Sequence, residues 1–201
     1  DTVTEISNIE HVDFVSPVLS LSAQMSVNGF TGSTVSNIVD DKYFRLSGLT
    51  ADYGEINNKE HQTGIVISSA GAALFGLSPE EIIGQKAKLS LFVPKADNAS
   101  SGLEEVLVSE REEEYYIIGV IEDENSNYIF IPSSGLTDLN FNKFDQLKVK
   151  VTDADYVEIV RNQIIDRGFL VSSLSDIIDQ TNKIFQVIQL VLGIFGLIAL
   201  L

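Results

Sequence analysis

Apolar and polar residues alternate early in the chain. The run from Val12 to Val27 has a period of two around Pro17, with Val12 and Phe14 and then Leu19 and Leu21 on one side, and this predicts a strand. Gly29 to Ser33 reads as a turn and Thr34 to Val39 as a second strand, ended by Asp40-Asp41. Lys42 to Leu46 reads as a short helical turn whose Tyr43 and Phe44 invite packing, and residues 48–62 as a polar loop. Gly64 to Ser68 (GIVIS) is a short apolar run of the kind found in buried strands. Ala70 to Phe75 predicts a small helix closed by Gly76. In Ser78-Pro79-Glu80-Glu81, Ser stands at an N-cap, Pro at the first helical position and acids behind it; this turn ends at Gly84. Lys86 to Val93 alternates again, with Ala87, Leu89 and Leu91 on one face.

In the second half, Leu103–Val108, Tyr115–Ile121, Tyr128–Ile131 and Leu147–Val151 are predicted strands. The middle two flank a polar turn, as a hairpin would. Asp153 to Arg167 predicts an amphipathic helix with Val157, Val160 and Ile164 inward and Gly168 just past its end. Phe169–Val171 predicts a strand, and Ser173 or Ser175 opens a last helix. Thr2 to Asn8 is a polar lead-in of helical character. The mixture predicts an α+β domain built on a mixed sheet.

From Ile184 the pattern changes. The segment IFQVIQLVLGIFGLIALL, residues 184–201, carries no charge and two Gln. As a helix it measures roughly 27 Å at about 1.5 Å per residue, against about 30 Å for a hydrocarbon core. A buried core helix would turn Ile177, Ile178, Ile184, Phe185, Val187 and Ile188 inward. The stretch from Leu190 has no polar face at all, which favours a membrane over a core. Residues 181–201 are therefore expected to begin a transmembrane helix, marked by Ile184, Phe185, Leu190, Gly193, Phe195 and Gly196. The i, i+3 spacing of the two glycines is not GxxxG and predicts no dimer face. The chain begins at Asp1 without a secretory signal and is expected to be part of a longer protein.

Charge and composition narrow the chemistry. With 29 acidic and 13 basic residues the net charge is -16, which opposes binding to nucleic acid and docking on anionic lipid. The absence of cysteine rules out disulfides, thiolate catalysis and Cys-based metal sites. Asp123, Asn125 and Asn127 open like a calcium loop, but Tyr128 replaces the needed Gly and Ser134 the closing acid. Glu104, Glu105, Glu110, Glu112, Glu113 and Glu114 read as a solvated acidic face. His11 and His61 have no metal-ligand spacing, and no GxSxG, Walker A or GxGxxG motif occurs. The expectation is a domain with no catalytic, cofactor-binding or metal-binding residue, and not an enzyme.

Two stretches resemble the MacB/FtsX-like family of ABC-transporter permeases. In Gly64 to Leu91 they are Leu74-Phe75-Gly76 and Ile83-Gly84-Gln85, followed by the strand Tyr116-Ile-Ile-Gly-Val-Ile121. Phe169 to Leu201 is similar to the junction where a polar helix runs into the family's second transmembrane helix. His11 to Ser20 and Val39-Asp40-Asp41-Lys42-Tyr43-Phe44 are similar to elements that follow the first. The acidic stretch from Pro94 to Glu114 matches no family feature. The resemblance implies an extracytoplasmic domain, residues 1–180, lying between two transmembrane helices of a plasma-membrane permease. It implies two subdomains, an outer one of residues 1–44 plus 137–180 and an inserted one of residues 45–136. It also implies an ATP-binding subunit or domain as partner, a homodimer or pseudo-dimer of permeases, and coupling of ATP-driven helix motion to export or extraction of a substrate. FtsX-like activation of an external cell-wall hydrolase is the alternative.

Overall fold

The computed structural model describes residues 2–56, 63–94, 106–111, 113–136 and 143–200; the side chains of residues 106, 174–180, 182 and 196–200 are not described. The chain forms two compact units, one of residues 1–8 and 12–150, the other of residues 9–11 and 151–201.

The first unit is built on strands. Helix α1 (Thr2–Ser7) lies against β1 (Val12–Val27), which turns at Asn28-Gly29 into β2 (Phe30–Val39). Then come α2 (Tyr43–Ser47), β3 (Tyr53–Gly54), β4 (Gly64–Ser68), α3 (Ser69–Ala73), α4 (Pro79–Ile82) and β5 (Lys86–Pro94). After these follow β6 (Val106–Glu110), β7 (Tyr115–Ile121), β8 (Tyr128–Pro132) and β9 (Gln146–Val151), whose last residue falls to the second unit. The ladder runs β7-β4-β8-β2-β1-β5 and returns to its start, because β5 also pairs with β7 through Lys86↔Tyr116 and Ala87↔Tyr115. Six strands thus close into a ring, which removes the edges an open sheet would expose. Strands β3, β6 and β9 are added outside it, on β7, β5 and β1. The pairings are antiparallel except β2–β8 and β4–β7, which are parallel, so the mixed sheet is present as predicted.

The period of two explains what fills the ring. Leu19, Leu21, Ala23, Met25 and Val27 of β1 point inward, while Ser20, Ser22 and Gln24 between them are exposed. Ala87, Leu89 and Leu91 of β5 do the same, as their alternation predicts. Ile65 and Ile67, Tyr115 and Ile117, and Ile129 and Ile131 complete the interior, with Phe75 and Ile82 from the α3–α4 segment. Val18, of opposite parity to Leu19, joins a second cluster outside the ring with Val39, Val66, Ile121 and Phe130. Val12 and Phe14 share its parity and so do not lie on the side of Leu19 and Leu21 as expected. Tyr43 and Phe44 of α2 cover that cluster, their rings 5.3 and 5.1 Å from Phe130.

The local signals read from the sequence largely hold. Ser78 Oγ accepts from the Glu81 N–H at 3.4 Å while the Glu81 carboxylate accepts from the Ser78 N–H at 3.0 Å, a complete capping box. Gly76 and Gly84 both take positive φ, at 69° and 80°. Four other expectations fail, the last in part. The strands β7 and β8 are not a hairpin, because β4 lies between them. The turn before β2 is confined to Asn28-Gly29, since residues 30–33 already pair with β1. Residues 169–171 form no strand. Leu74 touches β2 at Gly32 but stays 55% exposed, although its neighbour Phe75 is buried.

The second unit is helical. A 3-10 turn at Ala154–Tyr156 leads into α5 (Val157–Ile165), with Val160 and Ile164 buried and Gly168 at φ 87° beyond its end. Helix α6 (Leu174–Leu200) is one unbroken helix of 27 residues. His11 stacks on Tyr156 with ring centroids 3.6 Å apart, and its carbonyl accepts from the Thr152 N–H.

Candidate functional site

Helix α6 carries the residues expected to enter the membrane. Its described apolar side chains from Ile184 to Phe195, among them Ile184, Phe185 and Leu190, are between 43 and 66% exposed. A Cβ added at Gly193 would meet nothing within 4 Å. This is not the buried helix of the core reading, in which Ile184, Phe185, Val187 and Ile188 face inward. Ile177 and Ile178 lie outside the described side chains, as do the surroundings of Gly196. Among the described residues no helix is long and apolar enough to cross a membrane.

Two further surfaces stand out, neither of them marked by a motif. At the start of β1 the Phe14 ring is approached by three cations, Lys42 Nζ at 5.1 Å, the Arg45 guanidinium at 5.1 Å and Lys150 Nζ at 5.4 Å. Lys148 Nζ sits 4.9 Å from the centre of the Tyr43 ring, and burial lowers its pKa. Such cation–ring contacts draw on the negative face of the aromatic ring. Asp13 pairs with Lys150 at 3.2 Å, and Asp40 is taken up by Ser16 Oγ and by the backbone N–H groups of Lys42 and Tyr43. The α2 segment brings Lys42 and Arg45 to Phe14, and β9 brings Lys150 to Phe14 and Lys148 to Tyr43. The sequence holds these residues in three separate places, so only the fold assembles them. The second surface is the tip of the β1–β2 hairpin, where Phe30 is 66% exposed and Leu74 55%. Gly32, two residues on from Phe30, lies against Leu74: a Cβ there would stand 3.6 Å from its side chain.

The calcium-like loop has another use. Asp123 accepts from the Asn125 and Ser126 N–H groups at 2.9 and 3.1 Å, closing the turn on itself. Asn127 spans to β2, accepting from Thr34 Oγ1 at 2.9 Å and donating to the Ser33 carbonyl at 2.7 Å. Among the described residues no group of three or more His, Asp or Glu could hold a metal ion. Of the acidic stretch, Glu114 pairs with Lys86 at 2.6 Å, which lowers the Glu114 pKa and raises that of Lys86. Glu104, Glu105, Glu112 and His61 lie outside the described residues.

The sequence matches the family described as the MacB-like periplasmic core domain over residues 1–167. The chain belongs to that family. Its fold is similar to the periplasmic region of MacB from Actinobacillus actinomycetemcomitans, at 18% identity and a TM-score of 0.58 over 90% of this chain and 80% of that one. It is also similar to the extracellular domain of the noncanonic ABC-type transporter YknZ from Gram-positive bacteria, at 16% identity and a TM-score of 0.55 over 79% and 75% of the two chains. A domain of a putative permease from Porphyromonas gingivalis gives 13% identity and a TM-score of 0.51 over 83% and 72%. No curated protein matches the sequence. The chain is thus the extracellular or periplasmic domain of a MacB-type ABC transporter permease, and an ATPase partner follows from the family in general.

Proposed function

We propose that this MacB-like domain carries ATP-driven motion of the membrane helices outward, to export or extract a substrate, and performs no catalysis itself. The observation that supports this most is α6, a single helix of 27 residues whose described apolar side chains are open to their surroundings. A rigid helix transmits displacement where a flexible linker absorbs it. In this reading residues 181–201 enter the membrane, and lipid covers Ile184, Phe185, Leu190 and Phe195. The permease works as a homodimer or pseudo-dimer in the plasma membrane. The strand-built first unit meets the cargo, and α6 carries the motion.

The test is Gln180→Pro in the full permease with its ATPase. Proline in a helix interior removes a hydrogen bond and costs about 3 kcal/mol. ATP hydrolysis should persist while transport stops and the domain stays folded. Normal transport by that variant would refute the lever.

A second reading has its own observation in its favour. Phe30 at the tip of the β1–β2 hairpin and Leu74, which lies against Gly32 of the same hairpin, are both exposed. FtsX-like activation of an external protein needs such a surface. Phe30→Ser with Leu74→Ser separates the readings: loss of activation of an external hydrolase with transport unchanged favours signalling, and the reverse favours export.

A further inference from the structure

The cations around Phe14 lie at a particular end of the first unit. Phe14 stands two residues after Val12, where the chain enters that unit, and Lys148 and Lys150 are among its last residues. Residues from three parts of the chain therefore gather where the chain passes between the unit and the segment that carries α6. The chain leaves the first unit directly after Lys150 and runs on to α6. We propose that Lys42, Arg45, Lys148 and Lys150, set around the Phe14 and Tyr43 rings, dock on the anionic headgroups of the outer leaflet and fix the orientation of the domain. The proposal rests on the reading that α6 tethers the chain in the membrane.

Two arguments support lipid as the occupant. The chain has 13 basic residues against 29 acidic, yet four of the 13 meet on two rings, three of them on one. The net charge of -16 repels an anionic surface at long range, but beyond about 8 Å salt screens that repulsion at physiological strength, and the local charges decide. Of the nearby acids, Asp40 is turned to backbone donors and Asp13 is paired to Lys150. Asp41 is exposed and opposes docking, so the patch holds by a small surplus of positive charge. Tyr43, whose ring holds Lys148, is also of the amphipathic aromatic type found at membrane interfaces.

The chain contains no cysteine, so a single fluorophore can be placed at will. One label goes at Thr50→Cys beside α2 and a control at Ser33→Cys, opposite Gln24 of β1 and roughly 30 Å further along that strand. The whole chain is inserted in nanodiscs of phosphatidylcholine alone or with about 30 mol% phosphatidylglycerol, each with an acceptor dye on its headgroups. Energy transfer from Thr50→Cys should rise with phosphatidylglycerol and fall as salt goes from about 50 to about 500 mM, while Ser33→Cys stays unchanged. Lys42→Gln, Arg45→Gln and Lys150→Gln, all at exposed positions, should each lower the docked-to-undocked ratio roughly five-fold. Asp13→Asn should raise it. Transfer that ignores lipid charge and salt overturns the proposal, as does a triple variant that behaves like the parent. Docking that appears only with an added acidic peptide, and not with anionic lipid, also overturns it and assigns the patch to a protein. A chain that fails to enter the discs refutes the membrane tether instead. A C-terminal histidine tag on nickel-chelating lipid then supplies the tether, and the same comparison still decides the patch.

Discussion

Replacing Gly119 by Ala should destabilise the first unit through one contact. Gly54 of β3 and Gly119 of β7 are paired in register, and neither leaves room for a side chain. A Cβ on Gly119 would stand 2.2 Å from the Glu55 carbonyl oxygen and 3.3 Å from Ala51 Cβ. Carbon and oxygen tolerate about 3.3 Å, so the carbonyl must retreat by about 1 Å. Glu55 is held by its N–H bond to the Ile118 carbonyl at 2.8 Å, and Asp52 by its N–H bond to Val120 at 2.9 Å. The Asp52 carboxylate also accepts from the Glu122 N–H at 2.7 Å. Three hydrogen bonds at about 1 kcal/mol each set the loss at about 3 kcal/mol if β3 is displaced. Alanine regains up to about 1 kcal/mol by restricting the unfolded chain. The net loss is about 2 kcal/mol, a large part of a typical 5–15 kcal/mol stability. Urea unfolding should show a lower midpoint at unchanged slope. A change under about 0.5 kcal/mol would refute the reasoning, because β3 would then yield without losing its bonds.

Leu89→Ala should cost about 3 kcal/mol, since Leu89 is 1% exposed inside the ring, while Leu74→Ala should be near neutral; thermal melts compare the two. Ser78→Ala should cost about 1 kcal/mol by opening the capping box; the Glu81 pKa, lowered first by the Ser78 backbone N–H, which alanine keeps, and second by the Ser78 side chain, should rise only in part in a carboxylate NMR titration. Lys86 lowers the Glu114 pKa, so their pairing contributes above the ordinary carboxylate range and fades as pH falls through the lowered Glu114 value. From the lysine side, the raised pKa makes that contribution full below the ordinary lysine range and lost as pH rises through the Lys86 value. Both groups are fully exposed, so the effect is small and weakened by salt; an acid-side stability profile unchanged in Lys86→Met would contradict it.

What the sequence revealed was local. Alternation in β1 and β5, the Ser78 cap and the glycines at 76, 84 and 168 act over a few residues, and each sits where its local chemistry puts it. Pairing is not local. Tyr115–Ile121 and Tyr128–Ile131 flank a polar turn, yet the turn passes over β4, and nothing within those residues says that a strand from 50 positions earlier lies between them. Leu74 and Phe75 have the same local appearance, and only the closed ring decides that one is buried and the other exposed. The cations at Phe14 were invisible for the same reason, since α2 and β9 are about 100 positions apart in the chain and meet at one ring. The apolar run at the C-terminus was legible because it is a property of consecutive residues.

Two of the stretches that carry the family resemblance are parts of one seam. Ile83-Gly84-Gln85 and Tyr116–Ile121 meet where β5 and β7 close the ring: the Gly84 N–H donates to the Ile117 carbonyl at 2.7 Å, and the Ile117 N–H to the Gln85 carbonyl at 3.0 Å. Gly84 is required there for its backbone and not for its space. Its φ is 80°, and a Cβ would meet nothing within 4 Å. Gly84→Ala should therefore cost about 1–2 kcal/mol from left-handed strain alone. Gly84→Asn should recover part of that loss, because Asn tolerates the conformation. Gly119 shows the opposite pattern, with a clash and no positive φ, so Gly119→Asn should be worse than Gly119→Ala. Hydrogen exchange at the Gly84 and Ile117 amides reads the seam directly. Protection there should fall in Gly84→Ala and return in Gly84→Asn; equal loss in both would mean that crowding, and not backbone angle, sets the glycine.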